Sequence, residues 1–159
     1  MIVTIIGIGQ RLRGDDEVGL AAVELWVENY SGMSLKPDLR VIFAESPGVG
    51  LLHLLEDADA AILVDAVQSG AQPGDLHIME AGDLVAFLDG SDSAHGWGVA
   101  ETLSLGAEIC PESLPEKIII LGIEIRQVNL GAGISPEVHK VLPTAAKLIQ
   151  EHLKKITVS

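Results

Sequence analysis

The chain is poor in cysteine, in aromatic residues and in positive charge, and it has no long hydrophobic run. A single cysteine, Cys110, leaves no internal disulfide to form and agrees with a reducing compartment. With 3% aromatic residues, the core must be aliphatic. Ten Lys and Arg against 23 Asp and Glu give a formal charge of −13. Such a surface repels nucleic acid and anionic membranes, so neither is expected as a partner; a basic peptide or a cation fits better. Nothing approaches the ~18 consecutive apolar residues of a bilayer span. Ile2 to Ile6 enters a strand without a charged leader or cleavage site, so a cytoplasmic protein is expected. No Gly-x-Ser-x-Gly elbow, His-Glu-x-x-His pair or Walker loop occurs, which weakens serine-hydrolase, zincin and nucleotide-hydrolase readings.

What is present is an alternation of Val/Ile-rich runs with longer helical patterns, the mark of β-α units around a largely parallel sheet. At 159 residues the length suits one domain, residues 1–159, with no second unit required. Strands are predicted at 2–7, 39–44, 60–65, 75–79 and 117–123. The first helix is predicted from Asp16 to Tyr30, with Val18, Ala21, Ala22, Leu25 and Trp26 on one stripe and Ser31-Gly32 at its end. Others are expected from Gly48 to Glu56, from Trp97 to Leu105, and from Pro136 to Lys155 with Ser135 as N-cap. The 90–98 and 127–133 stretches are the loops long enough to shape a site.

Ligands of open parallel sheets gather beyond the carboxyl ends of the strands. The first strand runs there into the turn Gly7-Ile8-Gly9-Gln10-Arg11-Leu12-Arg13-Gly14-Asp15-Asp16-Glu17. Such a turn ordinarily receives a phosphate on unpaired N–H groups and the positive end of a helix dipole. Here Asp15, Asp16 and Glu17 supply the anions, capping the helix, repelling phosphate and leaving a carboxylate for a cation. The third strand delivers Asp65, and His95 stands among glycines in Ala94-His95-Gly96-Trp97-Gly98. Two carboxylates and an imidazole form a credible divalent-metal set for zinc, nickel, iron or manganese, with positions left open. Each also has a plainer reading: Asp16 as a helix cap, Asp65 as a rim carboxylate, His95 as a surface histidine.

His53, His77, His139 and His152 read as structural, and Cys110 has no neighbour that would make it a nucleophile. Gly7-x-Gly9 with Glu45 at the end of the second strand is part of a dinucleotide fingerprint, but Leu12 occupies the third glycine position.

Five motifs in order then carry a resemblance. They are Gly7-x-Gly9-x-x-x-x-Gly14-Asp15-Asp16-x-x-Gly19, Leu63-Val64-Asp65-Ala66, His95-Gly96, Ile120-Leu121-Gly122-Ile123, and Gly133-Ile134-Ser135-Pro136-Glu137-Val138. With them the chain resembles the nickel-iron hydrogenase maturation endopeptidases over nearly its whole length. The resemblance implies a three-layer α/β/α sandwich around a central, mostly parallel five-stranded sheet. It implies an endopeptidase that removes the C-terminal extension of a hydrogenase large-subunit precursor after nickel insertion. Asp16, Asp65 and His95 correspond to the family's metal-binding residues, which read nickel supplied by the substrate, and Asp15 is the further acid, as proton acceptor or cap. A monomer is expected. Two departures stand out: Gln10 where the family usually has Asn, and Glu45-Ser46-Pro47-Gly48 where it commonly has a Gly-Thr turn associated with substrate choice. Other classes consistent with the residues are a module that inspects or carries nickel without cutting and, more remotely, a dinucleotide-binding oxidoreductase.

Overall fold

The computed structural model describes residues 1–30, 38–88 and 98–158. Ser31, Gly32, His95 and Trp97, together with most of the 90–98 loop, lie outside the described residues. Five strands form one sheet in the order β2-β1-β3-β5-β4: β1 (Val3–Gly9), β2 (Leu39–Glu45), β3 (Ala60–Val67), β4 (Leu76–Glu80) and β5 (Lys117–Glu124). All neighbours are parallel except β4, which runs antiparallel to β5 with Ile78 opposite Leu121.

The period-two alternation of strand side chains divides the core into two layers. On one face Val3, Ile5, Ile62, Val64, Leu121 and Ile123 pack against helices α1 (Val18–Tyr30), α5 (Pro136–His139) and α6 (Leu142–Val158). On the other, Ile6, Ile8, Leu63 and Ile120 meet α2 (Leu51–Leu55), α3 (Ala81–Leu88) and α4 (Val99–Ile109). Strands apolar on both faces are what a parallel sheet covered by helices requires. Trp26, the largest fully buried side chain among the described residues, donates its indole N–H to Gln150 Oε1 at 2.9 Å, so the one polar atom of that ring is satisfied within the α1–α6 contact.

Five differences from the sequence reading are local. The first helix begins as a 3-10 turn, Gly14–Glu17, before α1, and the second as a 3-10 turn, Gly48–Gly50, before α2. The last helix is interrupted between His139 and Leu142, because Pro143 lacks the N–H and carries a ring that clashes with the preceding turn. Helix α3 was not expected; Gly82 and its short length hide its period. Strand β3 continues past Asp65 to Val67.

β1 stands where the strand order reverses, with β2 on one side and β3 on the other, so a crevice opens beyond the carboxyl ends of β1 and β3. α1 closes onto it at glycines. A Cβ at Gly19 would lie 2.1 Å from the Ile8 carbonyl oxygen and 2.4 Å from that of Val64, so helix and sheet backbones touch there. Gly19→Ala is expected to reduce the unfolding free energy by about 3 kcal/mol in urea denaturation, because both obstacles are backbone.

Candidate active site

A cleft of about 610 Å³ occupies the crevice. Gln10, Arg13 and Asp16 reach it from the β1–α1 connection, Ser46 and Pro47 from the end of β2, Asp65 to Gln68 from β3, and Gly98, Val99, Glu101 and Thr102 from the start of α4. The β1–α1 connection is shaped by its own close approach. A Cβ at Gly9 would lie 2.3 Å from the Asp16 carbonyl oxygen, and the Gln10 N–H donates to that oxygen at 3.1 Å. The turn after β1 is therefore folded back closely on the start of the helix that follows it. Glu45, at the ribose-binding position of the dinucleotide reading, accepts the Arg11 N–H at 3.0 Å.

Asp15 and Asp16 part company. Asp15 is fully buried, and its carboxylate accepts from the N–H groups of Arg126 (2.9 Å), Gln127 (3.1 Å) and Ser135 (2.6 Å) and from the Ser135 hydroxyl (2.8 Å). Of the roles open to it, proton acceptor or cap, the geometry is that of an anchor, tying the 126–135 loop to the turn after β1. It does not cap its own helix: the N-cap is Arg13, with no side-chain cap bond. Ser135 is the N-cap of α5 as expected, but its hydroxyl is donated to Asp15 instead of receiving a helical N–H.

Asp16 and Asp65 both line the cleft. Asp65 accepts the Ala66 N–H at 2.8 Å, and its carboxyl is pushed up to about 7. Burial is the larger cause, the negative charge of Asp16 the second, and the Ala66 N–H opposes them. Two carboxylates close enough to disturb one another in a desolvated cleft are arranged to share a proton or a cation. Among the described residues no three metal-ligand side chains stand together. His95 falls outside those residues; Gly98 and Val99, the first to follow its segment, line the cleft.

Sequence reasoning missed Arg13, Gln68 and Glu101, all on the cleft wall. It also missed Glu124, a buried carboxylate at the end of β5 that accepts from the Ser69 N–H, the Ser69 hydroxyl and the Ala71 N–H, each at 2.8 Å. His77 Nε2 lies 3.9 Å from it. Glu124 thereby holds the segment beyond β3 that forms one cleft wall; a polar residue closing an apolar strand, as at Asp65, was the available signal. The exposed His53 pairs with Glu56 at 2.8 Å, and His139 is also exposed, as expected of solvent-facing helix positions.

The fold and site define a doubly wound α/β protein with an acid-lined cleft at the switch point of its sheet. Comparison with known proteins narrows this. Residues 26–152 match the family described as hydrogenase maturation protease (HycI). The chain is 28% identical to the hydrogenase expression/formation protein HoxM of Azotobacter vinelandii, covering 95% of this chain and 72% of that one. It is 24% identical to the hydrogenase 2 maturation protease of Escherichia coli, over 98% of this chain and 92% of the relative. The hydrogenase maturating endopeptidase HybD of E. coli superposes with a TM-score of 0.84 at 23% identity, covering 98% and 93% of the two chains, which shows a shared fold. The chain belongs to the hydrogenase maturation protease family, whose members are hydrolases.

Two expectations follow from the carboxylates. Asp15→Asn puts an NH₂ where donors converge and should cost about 2 kcal/mol in chemical denaturation. A carboxyl raised to about 7 in the fold binds a proton that the unfolded chain releases near 3.8, so its contribution to stability falls as pH rises through that window. Asp65→Asn should therefore raise the melting temperature at pH 8 and change it little at pH 4.

Proposed function

We propose that this chain is the endopeptidase that removes the C-terminal extension of a nickel-iron hydrogenase large-subunit precursor once nickel is in place, acting in the cytoplasm. Membership of the family supplies the reaction class. The observation that carries the reading is the facing pair Asp16 and Asp65 in an open cleft, with the Asp65 carboxyl raised partly by the charge of Asp16. A divalent ion brought by the precursor relieves that repulsion, and hard carboxylate oxygens with one imidazole suit nickel. His95 is the third ligand by resemblance, and the reading is supported by Val99, a few residues later in the sequence, which lines the cleft.

In this reading Asp16, Asp65 and His95 dock the substrate's nickel, which sets the neighbouring peptide bond in the cleft. A carboxylate of the cleft takes the proton of the attacking water as its oxygen adds to the carbonyl carbon. Recognition of nickel already held by another protein makes cutting conditional on loading. The charge of −13 favours a docking region of basic character on the precursor.

The test is mass spectrometry of nickel-loaded and nickel-free precursor after incubation with the full chain. Loaded precursor should be shortened and nickel-free precursor left intact. Alanine at Asp16, Asp65 or His95 should lower the rate at least about 100-fold with the fold retained by circular dichroism. A precursor that is bound but never shortened would make the protein an inspection module, and undiminished cutting by all three variants would remove the assigned ligands. As pH falls below about 7, protonation of Asp65 should slow processing, read from the initial rate.

A further inference from the structure

We propose that Arg13 is a catalytic residue of the cleft, holding the carbonyl oxygen of the peptide bond being cut and the negative charge that develops on it. The inference rests on the endopeptidase reading above and adds a role that neither the resemblance nor the paired carboxylates assign.

Arg13 is the cation among the described residues that line the cleft, where Asp16, Asp65 and Glu101 are the acids. Its neighbour Arg11 is turned to the surface and engaged by Glu17 and Glu24. Arg13 is half-buried, and among the described residues no carboxylate pairs with it; its Nη1 donates to Gln10 Oε1 at 3.1 Å. Its remaining N–H donors are available to a substrate.

The backbone fixes this direction on both sides. Leu12 has φ +63° and Gly14 φ +56°, so Arg13 stands between two left-handed residues. Glycine adopts that conformation freely, whereas leucine does so at roughly 1 kcal/mol. The turn is held by the Gly131 N–H donating to the Leu12 carbonyl at 2.7 Å and the Gly14 N–H donating to the Ala132 carbonyl at 3.1 Å. Leu12 is thereby turned out to solvent, 71% exposed, and Arg13 inward onto the cleft.

Hydrolysis needs such a charge here. The oxygen of water adds to the carbonyl carbon while its proton passes to a cleft carboxylate, and the C=O electron pair moves onto oxygen. Collapse of that oxyanion breaks the C–N bond, and the leaving amine takes the proton. The developing oxyanion is opposed by every acid on the wall, and a guanidinium already aimed into the cleft offsets it without reorganisation.

The experiment is steady-state kinetics of the full chain on nickel-loaded precursor. Arg13→Gln should lower kcat about 100-fold or more with KM changed less than about 3-fold. Arg13→Lys should retain an intermediate rate, and added guanidinium ion should restore part of the activity of Arg13→Ala. Arg11→Gln should cut at the parent rate, and all variants should melt within a few degrees of the parent. Equal turnover by Arg13→Gln, an effect confined to KM, or a loss that tracks a lowered melting temperature and is rescued by neither lysine nor guanidinium would overturn the proposal. A parent chain that leaves the precursor whole overturns the endopeptidase reading and this inference together; a parent that cuts beside an Arg13→Gln that cuts equally fast overturns the inference alone.

Discussion

The cleft depends on one buried charge. Asp15 sits at the joint between β1 and α1, and its carboxylate gathers the N–H groups of Arg126, Gln127 and Ser135 together with the Ser135 hydroxyl. A carboxylate removed from water is tolerable only when such donors replace its hydration. Because those donors come from more than a hundred residues away, the turn after the first strand and the loop after the last strand become one body. Remove that tie and neither Arg13 nor Asp16 has a fixed direction, since both belong to the turn it secures.

Close backbone contact does the rest of the positioning. Gly9 and Gly19 let the start of α1 settle directly on the ends of β1 and β3, so the helix begins at the crevice and not above it. Asp16 is thereby brought to the same hollow as Asp65, and burial of the latter amplifies the repulsion between them. The turn shares Gly7 and Gly9 with the glycine-rich turns that cradle phosphates in related topologies, but Leu12 stands at the third glycine position and Asp15 and Asp16 follow.

Much of the architecture was readable along the chain. The five strands fall within a few residues of their expected places because β1, β3 and β5 are apolar on both faces and are bounded by turn residues. Helix ends were less legible: 3-10 turns at Gly14 and Gly48 have no periodicity of their own, and the break before Pro143 lies inside an otherwise amphipathic pattern. Asp16 and Asp65 could be singled out as candidates because they stand at the carboxyl edge of a parallel sheet, where ligands gather, and both line the cleft. Glu101 and Glu124 could not, since one lies in the first turn of a helix, where acids are common, and the other closes a strand whose partner loop is remote in sequence.

Residue order alone determined the strands, the sheet class, the acidic character and the candidate ligands, because these follow from local periodicity and composition. Only the tertiary structure decided which of two adjacent aspartates is an anchor and which faces the cleft, and that Arg13 turns inward while Arg11 turns out. Successive side chains at a turn diverge according to backbone angles and distant hydrogen bonds. Those angles at Leu12 and Gly14 are imposed by Gly131 and Ala132, far along the chain, and no local pattern encodes them.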